Sequence, residues 1–209
     1  MRGYDPFMTD PRIPLRRTAL APLLVPLLAA VVAGAGIVWL STWARTTMVV
    51  LVRHAEPSAA VGGDPDLSPA GERRVAQLGE FLSEILEGRT VDDLYAADTR
   101  RSQQTAASVA NQFKLPVNLL AGSDWAGLGS RIRRDHRGET VVVVGYANTL
   151  PAVVTQLAGT HVTLDADDFS SVFVVLLPSP GQARVLRLRY GEPPVDDREG
   201  PAKARRGRR

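Results

Sequence analysis

Two short runs, Met48-Val49-Val50-Leu51-Val52 and Val141 to Val144, constrain this 209-residue chain more than any other feature. Each is continuously apolar and rich in β-branched side chains, with no polar residue between. A strand with one wet face alternates polar and apolar residues, so a run without alternation belongs to a strand buried on both faces. Such strands need helices above and below them, and helical patterns do separate the two runs. Ser68 and Pro69 suit the N-cap and first position of a helix reaching about Leu86, with Val75, Leu78, Leu82 and Ile85 on one face. A short strand near 94–96 leads into a helix capped by Asp98 that runs to about Phe113. A strand at 117–120 and a weak helix around 124–136 precede the second apolar run. A helix from Pro151 through Leu157 and strands at 172–177 and 184–190 follow it. The expected fold is α/β: a three-layer α/β/α sandwich with a mainly parallel sheet over residues 48–190.

The flanks carry a different message. Residues 1–17 are polar and end in Arg16-Arg17, and from Thr18 to Leu40 no residue is charged. That stretch is long enough to cross a bilayer as one N-terminal transmembrane helix. Pro22 and Pro26 fall in its first turns, and Trp39 and Trp43 fall at its far end, where aromatic rings favour the interface. The expectation is a membrane anchor over 18–40, with a cleavable signal peptide as the rival, because Ala33-Gly34-Ala35 resembles a cleavage site. Arg2, Arg12, Arg16 and Arg17 precede the span, whereas Arg45 and Arg53 follow it closely. That bias expects a single pass of the cytoplasmic membrane with the domain on its outer side, periplasmic or extracellular. Residues 41–47 read as a linker and 191–209 as a disordered basic tail. The tail's Lys203, Arg205, Arg206, Arg208 and Arg209 outweigh the net charge of +3, so the globular part is close to neutral and no nucleic-acid partner is expected. The chain has no cysteine, which excludes disulfides, thiolate zinc sites and a cysteine nucleophile.

Sites in open α/β sheets form at the carboxyl ends of the strands. Three such ends carry suggestive residues: Arg53-His54-Ala55-Glu56, the run from Asp98 to Ala106, and Gly145-Tyr146-Ala147-Asn148-Thr149. Each is weak alone. Together they supply what phosphoryl transfer needs: an imidazole able to attack phosphorus, and guanidinium groups able to hold the non-bridging oxygens. Protein cations then carry the charge that a metal ion neutralises elsewhere, so neither a metal nor a cofactor is expected.

The LVRHAE segment (51–56) resembles the signature of the histidine phosphatase superfamily, also called phosphoglycerate mutase-like. DTRRSQQTA (98–106) is similar to its second motif, with Arg101 rather than Arg100 in the register of the pocket arginine. GGDPDLSPAGERRVAQL (62–78), VVVVGYANTLPAV (141–153) and the closing LRLRYG (186–191) are similar to further family segments, so the resemblance covers about 48–190. It implies a phosphomonoester hydrolase acting through a phosphohistidine on His54. Arg53 and Arg101 would be catalytic and would hold the phosphoryl group with Tyr146 and Asn148. The implied substrate is a phosphorylated small molecule or phosphoprotein.

At one position the chain departs from this pattern. The third motif normally reads Gly-His, and here Tyr146 stands in place of the histidine. A phenol of pKa about 10 donates a neutral hydrogen bond but brings no imidazolium charge. Losing one preorganised donor to a developing charge typically costs about 10²–10³ in rate. Two expectations therefore stand side by side: a phosphatase weakened by Tyr146, or an inactive pseudophosphatase that binds a phosphorylated ligand or partner. The family's general acid is often a carboxylate; Glu56 and Asp124 are the candidates, and the acid stays unassigned. His136 is expected at a solvated helix end and His161 in a loop.

Overall fold

The computed structural model describes residues 21–43, 45–59 and 63–191. The expected segment 1–17 and, apart from Gly191, the expected tail lie outside them. Contacts divide the chain into two units, Met1–Thr42 and Trp43–Arg209. The first contributes helix α1, Ala21–Trp43, with Pro26 inside it. Large apolar side chains on every side of α1, from Leu24 and Val25 to Ile37 and Val38, are exposed. Among the described residues no helix is long and apolar enough to cross a membrane. The spanning helix expected over 18–40 is therefore not established by the described residues.

The second unit is built on a six-stranded sheet in the order β3-β2-β4-β1-β5-β6. These strands are β1 (Arg45–Arg53), β2 (Asp93–Ala97), β3 (Asn118–Leu120), β4 (Thr140–Gly145), β5 (Ser171–Ser179) and β6 (Arg184–Arg189). β1 and β4, the two apolar runs, lie side by side in parallel at the centre, with Val49 opposite Val141 and Arg53 opposite Gly145. β2 pairs in parallel with β4 and β3, whereas β1–β5 and β5–β6 are antiparallel. The sheet is mixed but mainly parallel: β5 alone runs against the other five strands, giving three parallel and two antiparallel junctions. Only a short stretch, Pro180–Ala183, separates β5 from β6; so short a connection makes a hairpin, and hairpins are antiparallel.

Helices cover both faces. On one face Val50, Val52, Val142 and Val144 pack against α2 (Pro69–Leu86) and α3 (Arg100–Phe113) through Leu78, Leu82, Ala106 and Val109. On the other, Val49, Leu51, Val141 and Val143 pack against α4 (Leu128–Asp135) and α5 (Leu150–Ala158) through Leu128, Ile132, Val153 and Leu157. Alternate residues of one run therefore feed opposite cores, which is why no polar alternation appears in it. A 3₁₀ helix, Gly122–Gly127, precedes α4 and accounts for the weak helical signal there. Ser68 caps α2, its hydroxyl accepting from the Gly71 amide at 3.1 Å, with Pro69 in the first position. The cap of α3 is Thr99 rather than Asp98, and Thr99 makes no side-chain capping bond.

Gly71 sits where α2 crosses the segment after β1. A Cβ there would overlap the Glu56 carbonyl, which also accepts from the Ser68 amide at 2.9 Å. The clash is with backbone and cannot be relieved by a rotamer. Gly71→Ala is expected to lower stability by about 1–3 kcal/mol and the melting temperature by several degrees. A thermal melt within one degree of wild type would show that the two segments separate freely.

Candidate active site

The central strands end side by side, and the chemistry-bearing residues gather there. The His54 amide donates to the Gly145 carbonyl at 3.0 Å, which sets the segment after β1 against the end of β4. Thr105 of α3 ties in the third element: its Oγ1 accepts from the Ala55 amide at 3.0 Å and donates to the Arg101 carbonyl at 2.8 Å.

His54 is 5% exposed. Its Nδ1 lies 2.8 Å from the Ala55 carbonyl. A carbonyl only accepts, so Nδ1 carries the hydrogen and Nε2 carries the free lone pair. The other contact agrees, because Arg101 Nε donates to His54 Nε2 at 3.2 Å. Burial, aided by the positive charges of Arg53 and Arg101, pushes the imidazole pKa down to about 4 from 6.5. Above that value the ring is neutral, as a nitrogen nucleophile must be; as pH falls through about 4 it protonates. The His54 ring resonance is expected to titrate with a midpoint near pH 4, and a midpoint at 6.5 would mean that the ring is solvated.

Arg101 is the arginine brought to His54. Besides the bond to Nε2 it forms an ion pair through Nη1 with Asp64 at 3.5 Å. Arg100 turns away and forms a bidentate pair with Asp66, at 2.8 and 3.0 Å. Arg53, 9% exposed, has a different setting: its Nη1 donates to the carbonyls of Asp165, Ala166 and Asp168, and its guanidinium lies 3.8 Å over the Phe169 ring. Its Nε is buried without a partner. Burial lowers its pKa from the usual arginine value. Asp168 organises that loop. It accepts from the amides and hydroxyls of Ser170 and Ser171 and from Arg187, and these bonds hold its carboxyl well below the usual carboxylate range.

Tyr146 stands at the end of β4 with its ring edge-on to His54 at 5.9 Å between centroids, and its hydroxyl donates to Thr99 Oγ1 at 3.1 Å. Asn148 is exposed in the following turn. Glu56 is held by Arg74 at 2.7 Å, and Asp124 accepts from the Ala121 amide at the start of the 3₁₀ helix. Each candidate acid thus has a structural contact. His136 is a correction: it is buried, 8% exposed, with Nε2 2.9 Å from the Tyr95 hydroxyl and Nδ1 2.7 Å from Glu139. The Tyr95 contact draws it inward from the helix end where solvation was expected. Thr47, near the start of β1, donates to its carbonyl, so it lies at the strand end opposite His54. His161 is exposed. Among the described residues no group of three or more His, Asp or Glu side chains converges as a metal site.

Sequence reasoning did not single out Asp64, Thr99, Phe169 or Asp168. Asp64 and Thr99 fall inside quoted motifs, but nothing in the pattern of 165–169 marks that loop as a neighbour of Arg53.

An α/β domain that sets a neutral imidazole at the end of a central strand against a guanidinium from the first turn of α3 has the makings of an anion site with a nitrogen nucleophile. Residues 49–123 match the family described as histidine phosphatase superfamily (branch 1). No curated protein matches the chain. Its fold is similar to that of the protein histidine phosphatase SixA complexed with tungstate (16% identity, TM-score 0.57, covering 68% of this chain and 96% of that one). It is also similar to a phosphoglycerate mutase from Plasmodium falciparum (17%, 0.54, 71% and 95%) and to mycobacterial hydrolase 1 (16%, 0.52, 68% and 97%).

Proposed function

We propose that the domain is a phosphomonoester hydrolase working through a phosphohistidine on His54. The observation that carries this reading is the His54 ring itself, neutral, with Nδ1–H on the Ala55 carbonyl and Nε2 directed at Arg101. The Nε2 lone pair forms a bond to phosphorus as the ester P–O bond breaks, and the leaving oxygen takes its proton from water. Water then attacks phosphorus, the N–P bond breaks, and inorganic phosphate leaves. Arg101 supports the developing charge by turning its Nε from His54 to a phosphoryl oxygen. Arg53, whose Nη1 is held by the 165–168 carbonyls, contributes charge and its remaining donors. The substrate is a phosphorylated small molecule or a phosphoprotein, and no cofactor takes part.

A second reading, a pseudophosphatase that binds a phosphorylated ligand or partner, is favoured by Tyr146, which adds no cation to the pocket. The test is to incubate the full chain with a ³²P-labelled aryl phosphate and quench in alkali, where phosphohistidine survives. Labelled protein with released phosphate supports the hydrolase. Orthovanadate binding without label or turnover supports the second reading.

We further propose that α1 anchors the protein in the cytoplasmic membrane with the domain on the outer side. Its support is the uncharged run 18–40 and the exposed apolar surface of α1. Recovery of the full chain in a salt-washed, detergent-free soluble fraction would refute it.

A further inference from the structure

We infer that Tyr146 is a positioning residue: it sets the place of Arg101 and of the start of α3, and its hydroxyl does not serve the phosphoryl group. The inference rests on the phosphatase-type reading for what Arg101 does, and on contacts alone for how Arg101 is held.

The hydroxyl of a tyrosine has one hydrogen, and here it is directed at Thr99 Oγ1. Thr99 is the N-cap of α3, yet its hydroxyl makes no capping bond and instead donates to the fully buried Ser102 Oγ at 3.1 Å. The tyrosine therefore begins a relay, Tyr146 to Thr99 to Ser102, that links the end of β4 to the first turn of α3. The same first turn carries Arg101, whose guanidinium carbon lies 5.6 Å from the Tyr146 ring centroid. Arg101 is thus held on three sides: His54 Nε2 at its Nε, Asp64 at its Nη1, and the Tyr146 ring against its face.

The ring is itself supported. Trp125 lies 6.4 Å from it between centroids. Gly145 leaves the room for that packing, because a Cβ there would come within 2.7 Å of Trp125 Cη2 and 2.9 Å of Leu150 Cδ2. A rigid aromatic side chain spans from strand to helix with two rotatable bonds, so it transmits position at little entropic cost.

The test uses the full chain, orthovanadate as the probe, and the ¹H–¹⁵N resonance of Arg101 Nε–H in the unliganded protein. Tyr146→Leu is expected to shift or broaden that resonance and to weaken vanadate binding about tenfold. Tyr146→Phe and Thr99→Val should each weaken binding by a similar, smaller factor of about fivefold, with the double variant no worse than either. In an Arg101→Ala background, Tyr146→Leu should cost nothing further. The inference is overturned if the Arg101 resonance ignores Tyr146→Leu, or if Tyr146→Phe costs as much with Thr99→Val or Arg101→Ala present as without. Failure of wild type to bind vanadate would refute the phosphate-site reading instead, and the resonance would still decide whether Tyr146 holds Arg101.

Discussion

His54→Ala is expected to lower turnover of an aryl phosphate by roughly 10⁴-fold or more and to abolish the alkali-stable phosphoenzyme. Removing a covalent nucleophile leaves only what binding and charge stabilisation supply, and the loss is of that order or larger in well-studied hydrolases. The same substitution should leave the fold standing. The His54 side chain donates to the neighbouring Ala55 carbonyl and accepts from Arg101, whereas the structural link to β4 runs through its backbone amide. Activity and stability should therefore part company: kcat collapses while the melting temperature stays within a few degrees. Turnover that survives His54→Ala within tenfold would assign the chemistry to another group.

Arg101→Ala is expected to reduce kcat/KM, or vanadate affinity if turnover is absent, by about 10²–10³. Arg101 is the guanidinium found in contact with the nucleophile, since Arg53 Nη1 is engaged by backbone carbonyls of the 165–168 loop. Its removal also leaves Asp64 facing the site without its ion-pair partner, which adds repulsion toward an incoming phosphate. Arg101→Lys should restore little of the loss. An ammonium cannot reproduce a planar fork that meets His54 at Nε and Asp64 at Nη1 together. A loss below threefold for Arg101→Ala would place the anion site elsewhere.

The separate settings of the two arginines have a physical consequence. Arg53 is held by a loop whose shape depends on Asp168 and its bonds to Ser170, Ser171 and Arg187. Arg101 is held by side chains from three other segments. The pocket is thus assembled from two independent supports around one imidazole.

How much of this was legible beforehand differs by element. The central strands and the helix from Ser68 and Pro69 to Leu86 follow from local chemistry, whereas the pairing of His54 with Arg101 was what the motif resemblance implied. Uninterrupted β-branched runs have few ways to be buried, a Ser-Pro pair suits one helix end, and motifs at strand ends are gathered by the sheet. Other features depend on long-range contacts that leave no periodic trace. The reversal of β5 within an otherwise parallel sheet is one of them. The burial of His136 depends on Tyr95, 41 residues earlier in the chain. The capture of Arg53 by carbonyls more than a hundred residues away, and the bond from Tyr146 to Thr99, arise only once the strands are paired. Sequence alone determined the central strands and helix α2, because burial and capping are local demands. Tertiary structure alone decided what each of those side chains touches, because a hydrogen bond's partner is set by packing between distant segments.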